Sequence, residues 1–403
     1  MLTFARLGTS PGVFERHGLL VERATDEQRL AAWAEDWDRL ATLAPQRRAR
    51  LSHAWTASLL HHARDNEAEV SRDFGLEPTG DPWCCLFASR GNELLGVMPL
   101  VAVRRKALLG VERRAAIPPH GPRETCGDLV LAPGPDGVLA LAALASVAVE
   151  SFPQPMWLEL DQVCDSSPTL AAVRRGVPGM RAVIEAVPPV AYLPIRGSFD
   201  EYFAGLSKNF RKNLRRNRKH REQLAGLAFE FVDGPAAWRE LDRFVALEAS
   251  GWKGREKSAI GSSSGTLEYY RSLTRALSAR GWLELGFLRA DGRLLAAEIN
   301  VRFAGVLHEL RCAYDESFEA YSPGTILLER SLQRAFESGV DELNAGSDHA
   351  WTRSWGMQQR PCWNVRLFPR RPLSLLLGYL PARLRRSLRA RRSPARDSAQ
   401  PRG

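Results

Sequence analysis

Glu298, Asn300 and Arg302 alternate along one strand-like run, and Glu309 and Arg311 alternate along the next. Period-two alternation puts each set on one face of a sheet. Ala304-Gly305 between the runs has the make-up of a two-residue hairpin turn. A regular hairpin across it sets Asn300 opposite Glu309 and Glu298 opposite Arg311, with Leu295, Ala297, Ile299 and Val301 turned toward a core. Charges in the middle of a sheet either pair across strands or face a cleft. The first reading is a structural ion pair. The second is general-base chemistry, in which a desolvated carboxylate takes a proton from an attacking group. Glu309 is then the first candidate base, with Glu298 orienting it through Arg311, and Asp315 is the second. Tyr314 or Tyr321 can return a proton to a leaving group, although a core tyrosine is the simpler reading of Tyr314.

Close by, Tyr321-Ser-Pro-Gly-Thr-Ile326 opens an amphipathic helix expected over 323–338. Ser322 suits the N-cap and Pro323 the first helical position. Gly324 allows close approach to the backbone. The N–H groups of Gly324, Thr325 and Ile326 are expected to point outward at the positive end of the helix dipole, as an anion site fit for a pyrophosphate. An ordinary capped helix is the plain alternative.

These residues need a frame. Strands are expected at 282–289, 294–303, 306–314 and 340–344, with the 323–338 helix before the last. The order strand, strand, strand, loop, helix, strand, together with Glu309-Leu-Arg-Cys-Ala-Tyr-Asp315, Tyr321-Ser-Pro-Gly-Thr325, Gly339-Val-Asp341, Gly346, Trp355 and the basic run Leu206 to Arg216, resembles the FemAB-like branch of the GNAT acyltransferases. That branch includes CelD-type and BioF2-like acetyltransferase domains. The resemblance covers roughly residues 185–368. It implies acyl transfer, acetyl-CoA or another acyl-CoA as donor, an amine or hydroxyl acceptor of small-molecule or saccharide type, and a role in cell-envelope or polysaccharide biosynthesis. Tyr321, Ser322, Gly324, Thr325 and Ile326 would then hold the donor. Asn300, Arg311, Arg211, Arg215, Asp348 and Arg353 would meet the substrates. After Gly346 the family often has Tyr-Lys; here Trp351-Thr352 stands instead, with Arg353 one position on. That departure puts a donor or acceptor contact in doubt.

The fold class expected is α/β of the α+β kind: tandem GNAT-like halves, each a mixed, mostly antiparallel sheet flanked by helices. Leu94-Leu95-Gly96 and Leu294-Leu295-Ala296 sit at the same place in two similar hairpins 200 residues apart. The resemblance implies the same duplication. The divisions are 1–185, a structural and substrate-shaping half; 186–368, the acyltransferase half; and 369–403, a basic helix and tail. The segment Pro118-Pro-His-Gly-Pro122 is a stiff loop suited to a cleft wall. Ser198-Phe-Asp-Glu201 reads as a capping box. It opens a helix with Phe203, Leu206, Phe210 and Leu214 on one face, ending at Gly226.

A chain of 403 residues with 44% hydrophobic content can bury two cores. Its net charge of +10 is concentrated in two places. Lys208 to Arg221 holds eight Lys/Arg and no acid, and Arg370 to Arg402 holds ten Arg and one acid. Like charges at i,i+4, such as Arg211–Arg215, oppose a helix, so the first run is either a solvated face or a site for an anionic partner, tRNA among the candidates. The C-terminal run follows the apolar piece 372–380. It reads either as a surface helix on an anionic membrane or as a terminal helix, with disorder expected beyond Ser393. The longest apolar stretch, 138–149, is too short to span a bilayer. No apolar segment follows a basic start, and six cysteines lack zinc spacing, so a cytoplasmic protein with reduced thiols and no metal is expected. Cys312 has no histidine signature of a nucleophile.

Two rivals stay open. One is an aminoacyl-tRNA-dependent transferase of the FemAB kind, with the Lys208–Arg221 helix on RNA. The other is a non-catalytic scaffold docking on a membrane or a biosynthetic complex.

Overall fold

The computed structural model describes residues 12–65, 83–106, 112–121, 126–151 and 157–392. Disorder expected beyond Ser393, and Pro122 of the stiff loop, lie outside the described residues. The strands are β1 Gly12–Arg16, β2 Leu19–Ala24, β3 Cys84–Arg90, β4 Glu93–Lys106, β5 Glu112–Ile117, β6 Val130–Leu131, β7 Trp157–Cys164, β8 Met180–Pro194, β9 Ala228–Asp233, β10 Leu283–Ala290, β11 Arg293–Phe303, β12 Val306–Tyr314, β13 Glu342–Asn344 and β14 Gln358–Pro369. They form one sheet in the order β1-β2-β3-β4-β5-β7-β14-β8-β13-β12-β11-β10-β9, with β6 paired to β4.

That order reads almost the same from either end. β2, β3, β4, β5 and β7 mirror β9, β10, β11, β12 and β13. The parallel pair β5–β7 mirrors the parallel pair β12–β13. The remaining two strands are exchanged: β8, which closes the first series, pairs with β13, and β14, which closes the second, pairs with β7. β8 and β14 also pair with each other through eleven registered positions in the middle of the sheet. The tandem GNAT-like arrangement is therefore built as one continuous sheet.

The helices that matter to the site are α1 Glu27–Ala32, α2 Ala34–Leu43, α3 His53–Asp65, α4 Pro135–Ser151, α5 Pro168–Arg175, α6 Phe199–Gly205, α7 Lys208–Arg221, α8 Leu241–Ser250, α9 Trp252–Arg255, α10 Ser264–Ala279, α11 Pro323–Glu337 and α12 Ala350–Ser354. Asp26 caps α1 through the Arg29 N–H. The Ser198–Glu201 capping box is present at α6. The helix expected to run on to Gly226 instead breaks after Gly205. Ser207 starts α7 as a second N-cap, its hydroxyl accepting from the Phe210 N–H, and α7 stops at Arg221. Gly226, at φ 60°, belongs to the turn before β9.

Trp37, Trp55, Phe87, Phe244, Tyr270 and Phe287 lie in the main core, which spans both halves. A separate cluster, including Phe203, Leu206, Leu214, Leu332 and Trp355, seats α6 and α7 on α11. Past β14 the chain continues as helix through Leu380–Arg392. Leu373, Leu376, Leu380 and Leu384 project from it at 44–64% exposure, beside exposed Arg383, Arg385 and Arg386. That is the composition of an amphipathic surface helix. Among the described residues no helix is long and apolar enough to cross a membrane.

Candidate active site

The β11–β12 turn forms as expected, with Ala304 and Gly305 both at positive φ. Asn300 faces Glu309, as a regular hairpin requires. A β-bulge then intervenes: Ile299 faces Arg311 and Glu298 faces Cys312, leaving Leu310 as the extra residue. Glu298 therefore does not meet Arg311. The Arg311 guanidinium lies on the opposite face, donating to Glu248 Oε1 of α8 at 2.7 and 3.0 Å and to the Ser258 carbonyl at 3.1 Å. Glu248 is fully buried, and one oxygen also accepts from Lys253 Nζ at 3.2 Å.

β12 pairs with β13 only from Val306 to His308. Glu309 is the first residue past that pairing, where the strands part. Three cavities meet there. The largest, about 340 Å³, lies between β11, β12 and the start of α11, with Glu298, Tyr314, Gly324, Leu328, Trp351 and Trp355 on its walls. A second, about 310 Å³, is bounded by Arg50, Trp252, Lys253, Tyr270, Arg311 and His349. A third, about 50 Å³, lies against Arg48 and Cys126. Glu309 lines all three, and Cys312 and Trp351 line the two larger ones.

Glu309 Oε2 is shielded from solvent and has no hydrogen-bond partner among the described residues. Burial pushes its carboxyl up to about 7, against the pull of Lys253. Glu298 is 3% exposed. Asn300 Nδ2 donates to its Oε1 at 2.8 Å, and the Ser331 hydroxyl of α11 donates to the same oxygen. Burial still pushes it up to about 8, and the charge of Glu309 adds to the rise. Gly286, opposite Glu298 on β10, makes room for this side chain: a Cβ there would sit 2.8 Å from Glu298 Oε1. Both carboxyls are thus held well above the ordinary glutamate value, and the charge of Glu309 opposes ionisation of Glu298.

The open edge of β12 carries a second useful group. The Cys312 carbonyl accepts from Lys253 Nζ at 2.6 Å, on the side away from β11. A residue's N–H and C=O leave a strand on the same side. The Cys312 N–H therefore also faces the opening, where it can polarise a carbonyl oxygen.

Other expectations are corrected. Asp315 is tied to Arg293 at 2.6 Å and to Ser317 at 2.7 Å. Burial works against its ionisation, but these bonds hold its carboxyl below its ordinary value, so it is a poor base. Ser322 adopts a left-handed conformation, φ 54° and ψ 55°, and makes no side-chain cap. Its carbonyl takes the N–H groups of Thr325 and Ile326 at 2.9 and 3.1 Å. Of the three N–H groups expected to face outward, that of Gly324 alone has no partner among the described residues. Ile326 is buried against Leu288 and Leu295. Tyr321 packs on Phe318 and lines none of the three cavities.

Tyr314 does line the largest cavity, and burial, with Glu319 and Glu316 nearby, raises its hydroxyl pKa, so it keeps its proton. Asn300 sits beneath Glu298 rather than on a cavity wall. Asp348 and Arg353 pair with each other at 3.5 Å, and Arg353 points to solvent. Thr352 is fully buried and closes a capping box with His349. Trp351, beside it, walls the two larger cavities. Residues 118–121 line none of the three.

α7 reaches this site through Phe210, whose ring meets Trp355 edge-on at 5.2 Å. Arg218 and Arg221 hold buried Glu329 of α11 at 2.5 and 3.3 Å, so these two cations are structural. Arg215 lies over Phe203 at 5.9 Å, and Arg211 is half-buried. Neither lines any of the three cavities. Sequence reasoning missed Glu248, Lys253, Trp252 and Ser331. A lone acid among Leu241, Phe244 and Leu247 was the available signal for Glu248, since a carboxylate on an apolar helix face must find a cation. Among the described residues no group of three or more His, Cys, Asp or Glu is arranged to hold a metal ion.

Residues 208–351 match the family model described as an acetyltransferase (GNAT) domain. The structure is similar to the crystal structure of FemX, at 14% identity and TM-score 0.57, over 85% of this chain and 98% of that one. It is also similar to a conserved protein of unknown function from Bacteroides thetaiotaomicron VPI-5482, at 14% identity and TM-score 0.52, over 84% and 97%. No curated protein matches the sequence. The second half thus matches a GNAT acetyltransferase domain, and it contains the cavities and carboxyls described above. The fold that the chain shares with FemX extends over almost the whole of both chains.

Proposed function

We propose that the protein transfers an acyl group, acetyl in the simplest case, from an acyl-CoA to an amine or hydroxyl. The single observation that carries this reading is Glu309, a desolvated carboxylate whose Oε2 has no partner among the described residues, at the junction of two cavities large enough to hold two reactants. The cavity at α11 suits the donor. Its walls are mostly apolar, as the acylated arm requires. Gly324 offers a free N–H at the positive end of a fifteen-residue helix for a phosphate oxygen. The acceptor enters from the side of Trp252, Lys253 and Arg50, so the first half shapes the acceptor site through Arg50. Glu309 takes the acceptor's proton as it attacks. The Cys312 N–H holds the carbonyl oxygen on which charge develops, and Tyr314 O–H protonates the leaving group. Protonated Glu298 keeps a second negative charge away from Glu309. Polysaccharide or envelope intermediates are the acceptor class that the family resemblance suggests.

Specific observations favour a second reading, an aminoacyl-tRNA donor. Only one of three expected N–H groups faces the donor cavity, Glu319 lies on its wall, and six cations of α7 are not engaged with Glu329. Calorimetry with acetyl-CoA, on the native chain and on Gly324→Trp, separates the readings. Gly324 Cβ would stand in ordinary contact with Tyr314, so an indole there fills the cavity without a backbone clash. Micromolar binding abolished by the substitution is the expected result. Absent acetyl-CoA binding, with tRNA binding that weakens steeply as salt rises, would replace the first reading by the second.

A further inference from the structure

Arg48 precedes the short 3-10 turn Ala49–Leu51 and is 7% exposed. Its guanidinium donates to Cys164 Sγ at 2.6 Å, to Cys126 Sγ at 3.2 Å and to the Gln162 carbonyl at 3.3 Å. Among the described residues no carboxylate stands within ion-pair distance of it. Asp128, a buried acid that Arg48 attracts without touching, already accepts from Ser167, Gln46 and the Leu129 N–H. A buried guanidinium without a counter-charge is strongly unfavourable. The groups in contact with it that can become anionic are thiols.

Cys164 on β7 is the cross-strand partner of Cys362 on β14, and their sulfurs lie 3.1 Å apart. The hydrogen bond from Cys164 pulls the Cys362 thiol below its ordinary value, with burial opposing and Arg48 assisting, while the same bond and burial push the Cys164 thiol far up. One proton is thus shared between two sulfurs beside a cation, the environment in which a thiolate is stabilised. The small cavity of about 50 Å³ is walled by Arg48, Cys126, Gln162 and Val190, and Val190 packs on both cysteines. It has room for one molecule of water or peroxide size.

We propose that Cys164 and Cys362, charged by Arg48, are a redox site oxidised by hydroperoxides and closed as a disulfide between β7 and the exchanged strand β14. The thiolate attacks one peroxide oxygen. The O–O bond breaks, hydroxide leaves, and a sulfenic acid forms. The second thiol, losing its proton, attacks that sulfur; the S–S bond forms and the sulfenic oxygen departs as water. The two sulfurs lose two electrons in all, and one peroxide is reduced to one water and one hydroxide, which takes up a proton from solvent to become the second water. The bond fixes β14, from the second series of strands, to β7 of the first. This site stands whether or not the proposed acyl transfer is correct.

Cys84 and Cys85 provide an internal control. They are buried too, and burial pushes the Cys84 thiol up to about 12. The test treats the full chain with hydrogen peroxide, quenches in denaturant with an alkylating reagent, and maps the peptides by mass. A reducible Cys164–Cys362 cross-link, with Cys84 and Cys85 still alkylated, is expected. Cys164→Ser should instead leave a sulfenic acid on Cys362 that a 1,3-dione traps. Arg48→Met should slow oxidation at least tenfold. Arg48→Lys, which keeps the charge should the methionine variant misfold, should stay within a few-fold of the native rate. Full alkylation of Cys164 and Cys362 after peroxide, or oxidation of Cys84 and Cys85 at the same rate, would overturn the proposal.

Discussion

The two halves of this sheet share a frame and differ in what fills it. β3–β4 and β10–β11 have the same register 200 residues apart: Leu86 faces Met98, and Gly286 faces Glu298. Even the bulge recurs, after Ala88 in one and after Leu288 in the other. Where β11 carries Ala296, Glu298 and Asn300, β4 carries Gly96, Met98 and Leu100. In the first half α4 lies directly on β4. A Cβ on Gly96 would meet Leu131, Ala140 and Leu144 at 2.9–3.0 Å, so nothing can enter. In the second half α11 presents Ser331 to Glu298, and Ala296 borders an open cavity. One half is packed for stability. The other keeps two carboxyls out of water, a state that close packing would never select and that chemistry can use.

The largest test of that contrast is Glu309→Gln. If the open half holds the base, acceptor-dependent release of thiol from acetyl-CoA should fall by about 10²–10⁴-fold. The native rate should rise with pH through about 7, because only the ionised carboxylate accepts a proton. The glutamine variant should lose that limb. An unchanged rate or an unchanged pH profile would move the base elsewhere.

Next in size is the stability effect of Glu298. Its folded pKa of about 8 lies above the value of about 4.3 for an unfolded glutamate. Stability from this group is therefore fully present below about pH 4.3 and is lost as pH rises through about 8. Urea unfolding of the native chain should show a fall of a few kcal/mol between pH 5 and 9. Glu298→Gln should make that fall shallower, while keeping acceptors for Asn300 and Ser331. Met98→Gln, its counterpart in the closed half, should lower stability at every pH without changing the slope. Equal slopes in the native chain and Glu298→Gln would contradict the buried-acid assignment.

Much of this frame was legible in the sequence. Asp291-Gly292 and Ala304-Gly305 specify their turns chemically, so the two hairpins and the Asn300–Glu309 pairing could be read directly. The offset between Leu94 and Leu294 revealed the echo. The bulge could not be read, because Leu310 looks like any strand residue, and its one-residue shift sent Arg311 to the far face. Ser322 reads as an ordinary cap, yet its left-handed conformation consumes two of the three N–H groups assigned to an anion. The exchange of β8 and β14 is a long-range choice between equivalent partners, and no local pattern records it. Lys253 reaches Cys312 across 59 residues of chain, a contact without a periodic signal.

The smallest expected effect probes the packing difference itself. Gly96→Ala places a methyl within 3.0 Å of Leu131 and Ala140, and neither the helix backbone nor its alanines can retreat easily. Overpacking of this kind lowers stability by about 1–3 kcal/mol. Ala296→Leu adds more volume at the equivalent position, but the cavity beside it can take the side chain. Its stability should change by less than about 1 kcal/mol, while acetyl-CoA binding weakens. Chemical unfolding and calorimetry on the two variants read both quantities. If the larger substitution at Ala296 were the more destabilising, the cavity would be closed in solution, and the distinction between a sealed half and an open one would fail.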